Sequence, residues 1–273
     1  MVEIPEAKTI VRQAKEVLIG RIVEDIQVMN SSNRFCWMNK EKSEIENLII
    51  GKKIIEIKQS GHYVRFLFSN GTEIACAEDI IYRYILHSEL TEKNQLVLIF
   101  DNGYDLEIKV KLYGFILIGE LDELLSTNKY FKFAYDSIDI LSHDFTYEHF
   151  KNVTLFHHQK GSLKQALATE QHIPGLGNGI LHDILFEAML LPFKKISTVS
   201  DKDYHLLYQA VIKKVDEMSL FDGRDLQSDL FGEKGKYETI MNSSRKTCPI
   251  CHHDIIQKSY LGGKVIYCEV CQK

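Results

Sequence analysis

No stretch of this 273-residue sequence approaches the roughly 18 to 20 apolar residues that a membrane-spanning helix needs. The first twenty residues, MVEIPEAKTIVRQAKEVLIG, carry charges at Glu3, Glu6 and Lys8 and offer no apolar run for a secretory signal. Both absences lead to the expectation of a soluble, cytoplasmic protein with no membrane partner. Proline is scarce, at four residues, and no Pro- or Ser-rich linker, internal repeat or low-complexity tract divides the chain. A basic balance, the usual footprint of nucleic-acid binding, is also missing, since the net charge is −5. The charge is unevenly spread, however. Residues 1–150 hold 17 Lys and Arg against 24 Asp and Glu, residues 151–273 hold 16 against 14, and the last forty residues are net +4. A basic tail on an acidic body is a modest pointer to phosphate, and a solvated charged face explains it nearly as well.

What the sequence does have is concentrated at its end. Cys248-Pro249-Ile250-Cys251 and Cys268-Glu269-Val270-Cys271 are two CxxC knuckles separated by sixteen residues. That spacing presents four thiolates, Cys248, Cys251, Cys268 and Cys271, to one tetrahedral ion, the pattern of a structural zinc site. A pair of disulfides is the alternative, disfavoured where no secretory context exists. The knuckles flank Asp254-Ile255-Ile256 and Val265-Ile266-Tyr267 around the turn Gly262-Gly263, which predicts a β-hairpin clipped by one zinc ion. Cys36 and Cys76 lack such partners and read as small buried hydrophobes. His157-His158 and His252-His253 read as exposed loops, and Trp37, the single tryptophan, as a core or inter-lobe contact.

With 45% hydrophobic residues the chain can bury a sizeable core. The apolar stripe Ile10, Val11, Ala14, Val17, Leu18 predicts a helix from Pro5 to Ile19 closed by Gly20. Short β-type runs follow at Arg21–Asn30, Lys53–Lys58, Tyr63–Phe68, Glu73–Ala77, Leu96–Phe100, Leu106–Val110 and Phe115–Ile118, with hairpin turns at Ser69-Asn70-Gly71 and Asp101-Asn102-Gly103. Many short strands imply a β-sandwich or barrel. Helical patterns take over at Tyr147–Val153, Ser162–Ala168, Ile180–Ala188 and Asp201–Met218, with a boundary between about residues 129 and 145. The fold class is therefore α+β, in three parts: 1–135, 136–240 and 241–273.

Ile173-Pro174-Gly175-Leu176-Gly177-Asn178-Gly179 runs directly into a helix. Its glycines let backbone approach a ligand, and the helix N-terminus that follows suits an anion such as a DNA phosphate. A plain glycine-rich turn is the bland alternative. Taken in order with Val2-Glu3-Ile4-Pro5-Glu6-Ala7, Leu226-Gln227-Ser228-Asp229, Gly235-Lys236-Tyr237 and the terminal cysteines, this loop resembles the formamidopyrimidine-DNA glycosylase and endonuclease VIII family of base-excision repair enzymes. The resemblance runs from end to end. It implies an N-terminal helix plus β-sandwich, a helix-two-turn-helix domain and a C-terminal zinc β-hairpin, acting as a monomer on damaged double- or single-stranded DNA.

Members of that family use the amine of the residue after the removed initiator Met, usually Pro, to attack C1′ and form a Schiff base. Here the residue is Val2, whose primary amine retains that chemistry. Glu3 falls where the family places the carboxylic acid that assists ring opening, and Glu6 matches its second carboxylate. Acid enrichment at a helix N-terminus is the structural alternative for both. The other positions depart from the pattern. His62 stands for the family's phosphate-contacting Lys, and Cys76-Ala77-Glu78-Asp79-Ile80 replaces an apolar wedge segment with acids. Lys111-Leu112-Tyr113-Gly114 replaces an Arg-rich wedge, keeping Lys111 and Tyr113. Gly263 stands for the hairpin Arg, with Lys264 one position on, while Asn178 is retained. Two functions follow: a DNA glycosylase with abasic-site lyase activity through the Val2 amine, or a catalytically weakened relative that binds damaged DNA.

Overall fold

The computed structural model describes residues 1–28, 35–90, 94–155 and 160–273. His157, His158 and the last two residues of the first expected strand lie outside the described residues. The described residues fall into two compact units, Met1–Asp136 with Asp222–Lys236, and Ser137–Phe221 with Tyr237–Lys273. Segment 222–236, expected within 136–240, thus groups with the first unit, and the cysteine-bearing tail with the second.

The first unit opens with helix α1 (Ile4–Leu18). Glu3 is its N-cap in a reciprocal capping box with Glu6, and a proline in the first turn costs no hydrogen bond there. Ile10, Ala14 and Leu18 form the buried stripe. The helix stops where Ile19 turns extended and Gly20 takes φ +86°. Strands β1 (Val23–Val28), β2 (Cys36–Met38), β3 (Ile54–Ser60), β4 (Tyr63–Phe68), β5 (Thr72–Leu86), β6 (Leu96–Phe100) and β7 (Tyr104–Glu120) form one sheet ordered β1-β6-β7-β5-β4-β3. β2 lies parallel on β7.

The sheet doubles on itself through its two long strands. Thr72–Glu78 of β5 pairs with Gly114–Glu120 of β7 beside β4, whereas Ile80–Leu86 pairs with Tyr104–Val110 beside β6. The register slips between Glu78 and Ile80, a bulge of the kind that bends a sheet. Ile26, Phe66, Ile74, Leu98, Leu106 and Ile116, drawn from both halves, share one buried cluster with Ile10 and Leu18 of α1. This is the sandwich core, and truncating a residue such as Phe66 to Ala would cost about 3–5 kcal/mol.

Several expectations need correction. The two runs at Leu106–Val110 and Phe115–Ile118 are one strand, because the exposed residues 111–113 interrupt the apolar alternation without ending the pairing. β5 likewise continues through the acids Glu78 and Asp79 to Leu86. Helices α2 (Lys42–Ile49), α3 (Leu121–Thr127) and α4 (Lys129–Asp136) were not legible as helices, and α4 occupies the expected boundary. Trp37 is neither core nor hidden, being 47% exposed.

The second unit holds α5 (Tyr147–Leu155), a π-helical turn at Gln165–Thr169 where an α-helix was expected, α6 (Asn178–Glu187) and α7 (Asp201–Leu220). Its hairpin is β8 (Ile256–Tyr260) and β9 (Gly263–Tyr267). The turn is Leu261-Gly262, both at positive φ, so that Gly263 is already the first residue of the returning strand.

Candidate active site and metal centre

The amino end of the chain is buried in the first unit. Val2 is 4% exposed, and its backbone N–H donates to the Glu78 carbonyl at 3.0 Å. The Met1 amine lies 2.8 Å from Asp79 Oδ1. The Tyr113 hydroxyl approaches Met1 Sδ at 3.6 Å. Glu3 and Glu6, at 2% and 3% exposed, are far more hidden than helix-capping acids need to be. The Glu3 N–H donates to Glu6 Oε2 at 3.0 Å, which closes the capping box.

Both carboxylates converge on Arg224, a residue that sequence reasoning missed. Its Nε donates to Glu6 Oε1 at 2.8 Å and its Nη2 to Glu6 Oε2 at 3.0 Å, a bidentate fork. Its Nη1 lies 3.3 Å from Glu3 Oε1, and its backbone N–H donates to Glu6 Oε1 at 3.1 Å. Nη2 also reaches the Met1 carbonyl at 3.3 Å. Burial alone would push the Glu6 carboxyl up, but the Arg224 charge and hydrogen bonds outweigh it and hold the group below its ordinary value. Gly223 and Gly235 make the approach of this loop possible. A Cβ at Gly235 would meet Gly223 backbone at 2.3 Å, and Gly223 itself takes φ +94° with its Cβ direction 3.2 Å from Glu6 Cγ. The only local signal for Arg224 was its flanking glycine.

His62 is placed differently from a phosphate contact. It is 4% exposed, and its Nε2 lies 3.1 Å from Glu78 Oε1. Glu78 sits at φ +80°, a left-handed conformation that costs a non-glycine residue about 1–2 kcal/mol. The His62 contact anchors the side chain of a residue whose carbonyl faces the Val2 nitrogen. Burial pushes the Glu78 carboxyl up, but the His62 hydrogen bond and charge, with Tyr113 and the amino terminus, bring it below its ordinary value. Burial and the neighbouring Glu78 raise the Tyr113 hydroxyl. Val2, Glu3, Glu6, His62 and Tyr113 therefore belong to one neighbourhood, and Lys111 is exposed two residues from Tyr113 on β7.

In the second unit, Asn178 is the first residue of α6, whose N-cap Gly177 is extended, and it is exposed. A Cβ on Gly263 would lie 3.0 Å from Asn178 Nδ2 and 3.2 Å from Lys164 Nζ, so the hairpin approaches closely because residue 263 is glycine. Lys164 donates to the Tyr260 carbonyl. Lys264 has an exposed side chain, and its carbonyl faces His182 Nε2 at 3.2 Å.

The four hairpin cysteines are free thiols whose Sγ atoms all lie within 4.8 Å of one another. Cys248 Sγ and Cys271 Sγ are 3.7 Å apart, and Cys251 Sγ and Cys268 Sγ 3.4 Å. Four sulfurs at about 2.3 Å from a tetrahedral zinc would be separated by about 3.8 Å, so the donor set fits in both chemistry and spacing. Backbone bonds hold each knuckle, His252 N–H to the Cys248 carbonyl at 3.0 Å and Gln272 N–H to the Cys268 carbonyl at 3.0 Å. His252 and His253 are exposed, as expected.

Residues 1–108 match the family model for the formamidopyrimidine-DNA glycosylase N-terminal domain. Over its full length the chain is 25% identical to the formamidopyrimidine-DNA glycosylase of Cytobacillus firmus, covering 100% of both. It is 23% identical to that of Mycoplasma genitalium, covering 96% of the relative. Among solved structures, the MutM (Fpg) protein of Thermus thermophilus superposes with a TM-score of 0.84 at 18% identity, over 99% of this chain and 98% of that one. The Lactococcus lactis Fpg solved with a FAPY-dG containing DNA superposes with a TM-score of 0.85 at 21% identity, over 99% and 100%. The expected helix, doubled sheet and cysteine hairpin are thus found together in one fold and in the expected order: residues 1–108 match the N-terminal domain of that family, and the whole chain is similar in sequence and in fold to formamidopyrimidine-DNA glycosylases.

Proposed function

We propose that this chain is a base-excision-repair DNA glycosylase with associated abasic-site lyase activity, and that its nucleophile is the Val2 amine freed when Met1 is removed. The observation that carries the reading is the burial of that nitrogen beside Glu3 and Glu6, with Arg224 bridging the two carboxylates. A fraction of an α-amine with pKa near about 7.7–8.0 is neutral at physiological pH. Its lone pair attacks C1′ of the damaged nucleotide, and the glycosidic C–N bond breaks with its electron pair leaving on the base, which takes up a proton. The Glu3 carboxylate takes a proton from the substituted nitrogen, which restores its lone pair, and passes that proton to the ring oxygen O4′ as the C1′–O4′ bond opens and the lone pair closes the imine. Removal of a C2′ proton then expels the 3′ phosphate.

The chain's own residues have distinct parts in this scheme. Glu6 stays ionised on Arg224 and fixes the helix end that presents Val2 and Glu3. The Glu78 carbonyl orients the nitrogen, and the carboxylates of Glu78 and Asp79 favour the cationic imine. His62 supports Glu78. Lys111, Asn178 and Lys264 supply contacts to DNA phosphates, and Cys248, Cys251, Cys268 and Cys271 hold a zinc ion that fixes the hairpin. The protein acts as a cytoplasmic monomer that associates with the nucleoid when bound to damaged DNA. Incision of an abasic-site duplex under single turnover tests this. Inserting one alanine before Val2 moves the free amine by about 3.8 Å and should abolish incision. Equal incision by the inserted variant removes the assignment.

One arrangement favours the second reading, a damaged-DNA binder of weakened activity: Asp79 and Glu78 lie at the amino end, and His62, expected as a phosphate contact, is turned inward onto Glu78. Binding to abasic DNA without incision by protein with a confirmed Val2 terminus would select it.

A further inference from the structure

Trp37 is 47% exposed and lies across from Phe115 in the parallel pairing of β2 with β7. The two rings stack at 5.2 Å between centroids and 24° between planes. Tyr130 of α4 also lies beside Phe115, at 6.1 Å and 32°, and it is 60% exposed. Lone exposed apolar residues are ordinary on a protein surface, but three rings in contact, two of them largely open to solvent, make a contiguous patch. Tyr113 precedes Phe115 by two residues in β7, and its hydroxyl approaches Met1 Sδ. The patch therefore lies two residues along β7 from a side chain that touches the amino end of the chain. A cation adjoins it, Lys129 Nζ at 5.1 Å from the Tyr130 ring centroid, and a second, Lys111, is exposed four residues before Phe115 in β7. Among the described residues neither lysine has an ion-pair partner. Exposed rings with unpaired cations beside them are what a strand of unpaired nucleotides requires, bases on the rings and phosphates on the ammonium groups.

We infer that Trp37, Phe115 and Tyr130 form a stacking platform for unpaired bases, so that this protein binds single-stranded DNA along the first unit, leading to Tyr113 and the Val2 amine. Base-on-ring stacking tolerates any base, so the platform confers a preference for single strands and not for a sequence. The inference rests on the DNA-acting role proposed above, and it concerns binding alone.

Trp37 is the only tryptophan in the chain, so its fluorescence reports the platform directly. The full-length protein is titrated at low salt with undamaged oligo(dT) of roughly 12 nucleotides, within the usual site size for such surfaces, and with a duplex of equal length. Saturable quenching by oligo(dT) is expected. Trp37→Ala and Tyr130→Ala should each weaken oligo(dT) binding, followed by anisotropy, roughly 5- to 150-fold, the worth of one stacked base. Duplex affinity should hold within about twofold, since phosphate contacts dominate there. Trp37→Phe, which keeps a ring, should retain most of the affinity, and Tyr130→Ala on the helix surface carries the test should Trp37→Ala misfold. Oligo(dT) binding without a change in emission overturns the platform while leaving the proposed function standing. So does an equal loss for single strand and duplex in the variants, or DNA-free self-association that buries Trp37. Absence of binding to any DNA overturns the platform together with the proposed function.

Discussion

Replacing Arg224 with Met should remove most of what makes the amino end of the chain tolerable in its buried form. The substitution keeps an unbranched side chain of similar length but leaves Glu3 and Glu6 without their shared cation. Breaking a buried ion pair by removing one partner costs about 3–5 kcal/mol. For Glu6, which loses its bidentate partner, a ceiling comes from the alternative open to the protein, which is to protonate that carboxyl. From an ordinary value of about 4.3, that costs about 3.7 kcal/mol at pH 7 and only about 1 kcal/mol at pH 5. The expected loss is therefore about 3–4 kcal/mol at neutral pH, shrinking toward about 1 kcal/mol as the pH approaches 5. Trp37 lies in the first unit, so urea unfolding followed by its fluorescence reads the relevant transition. Glu6→Gln in the Arg224→Met background should recover part of the loss, because it removes the stranded charge. A loss below about 1 kcal/mol at pH 7, or one independent of pH, would refute the account of a charge held by Arg224.

Glu6 and Glu78 both lie below their ordinary values in the folded chain, so their contribution is full above the carboxylate range and is lost as pH falls through the folded values. Stability of the first unit should accordingly decline between about pH 5 and pH 2, and Glu6→Gln should flatten that decline; an unchanged slope would count against the assignment. Purified protein should contain one zinc per chain, and Cys268→Ser should lose both the metal and DNA affinity, as read by elemental analysis and anisotropy. Metal-free protein of full stability would remove the zinc site. Gly235→Ala must displace the backbone of Gly223 and Arg224, since its Cβ would lie 2.3 Å and 2.6 Å from them. Overpacking of this kind costs about 1–3 kcal/mol, and it should slow incision more than it weakens DNA binding.

The parts of the molecule with strong local signals were legible. The α1 stripe, Tyr63–Phe68 and Leu96–Phe100, and the cysteine knuckles were found where periodicity and spacing put them. What stayed hidden depends on long-range pairing. β7 continues through Lys111, Leu112 and Tyr113 only because β5 pairs on both sides of the bulge, and no alternation records that. Helix α4 reads poorly because its apolar side chains are aromatic and mostly exposed, with Phe131 and Ala134 alone buried. The same holds for the candidate site. Val2, Glu3 and Glu6 are adjacent in sequence and came with the resemblance, whereas Arg224 arrives from more than two hundred residues away. His62 was expected to face phosphate, and its burial against Glu78 is a property of the bulge, where a glutamate adopts a backbone conformation that sequence alone does not suggest.

The central claim is that the Val2 amine becomes covalently attached to DNA. Protein with Met1 removed, verified by mass, is incubated with abasic-site DNA and borohydride, and the adduct is digested and sequenced by mass spectrometry. The account predicts a reduced adduct whose only modified residue is Val2, formed more slowly by roughly 10²- to 10⁴-fold in Glu3→Gln while DNA affinity is kept. An adduct on a lysine, or no adduct from a protein that binds the same DNA, would contradict it.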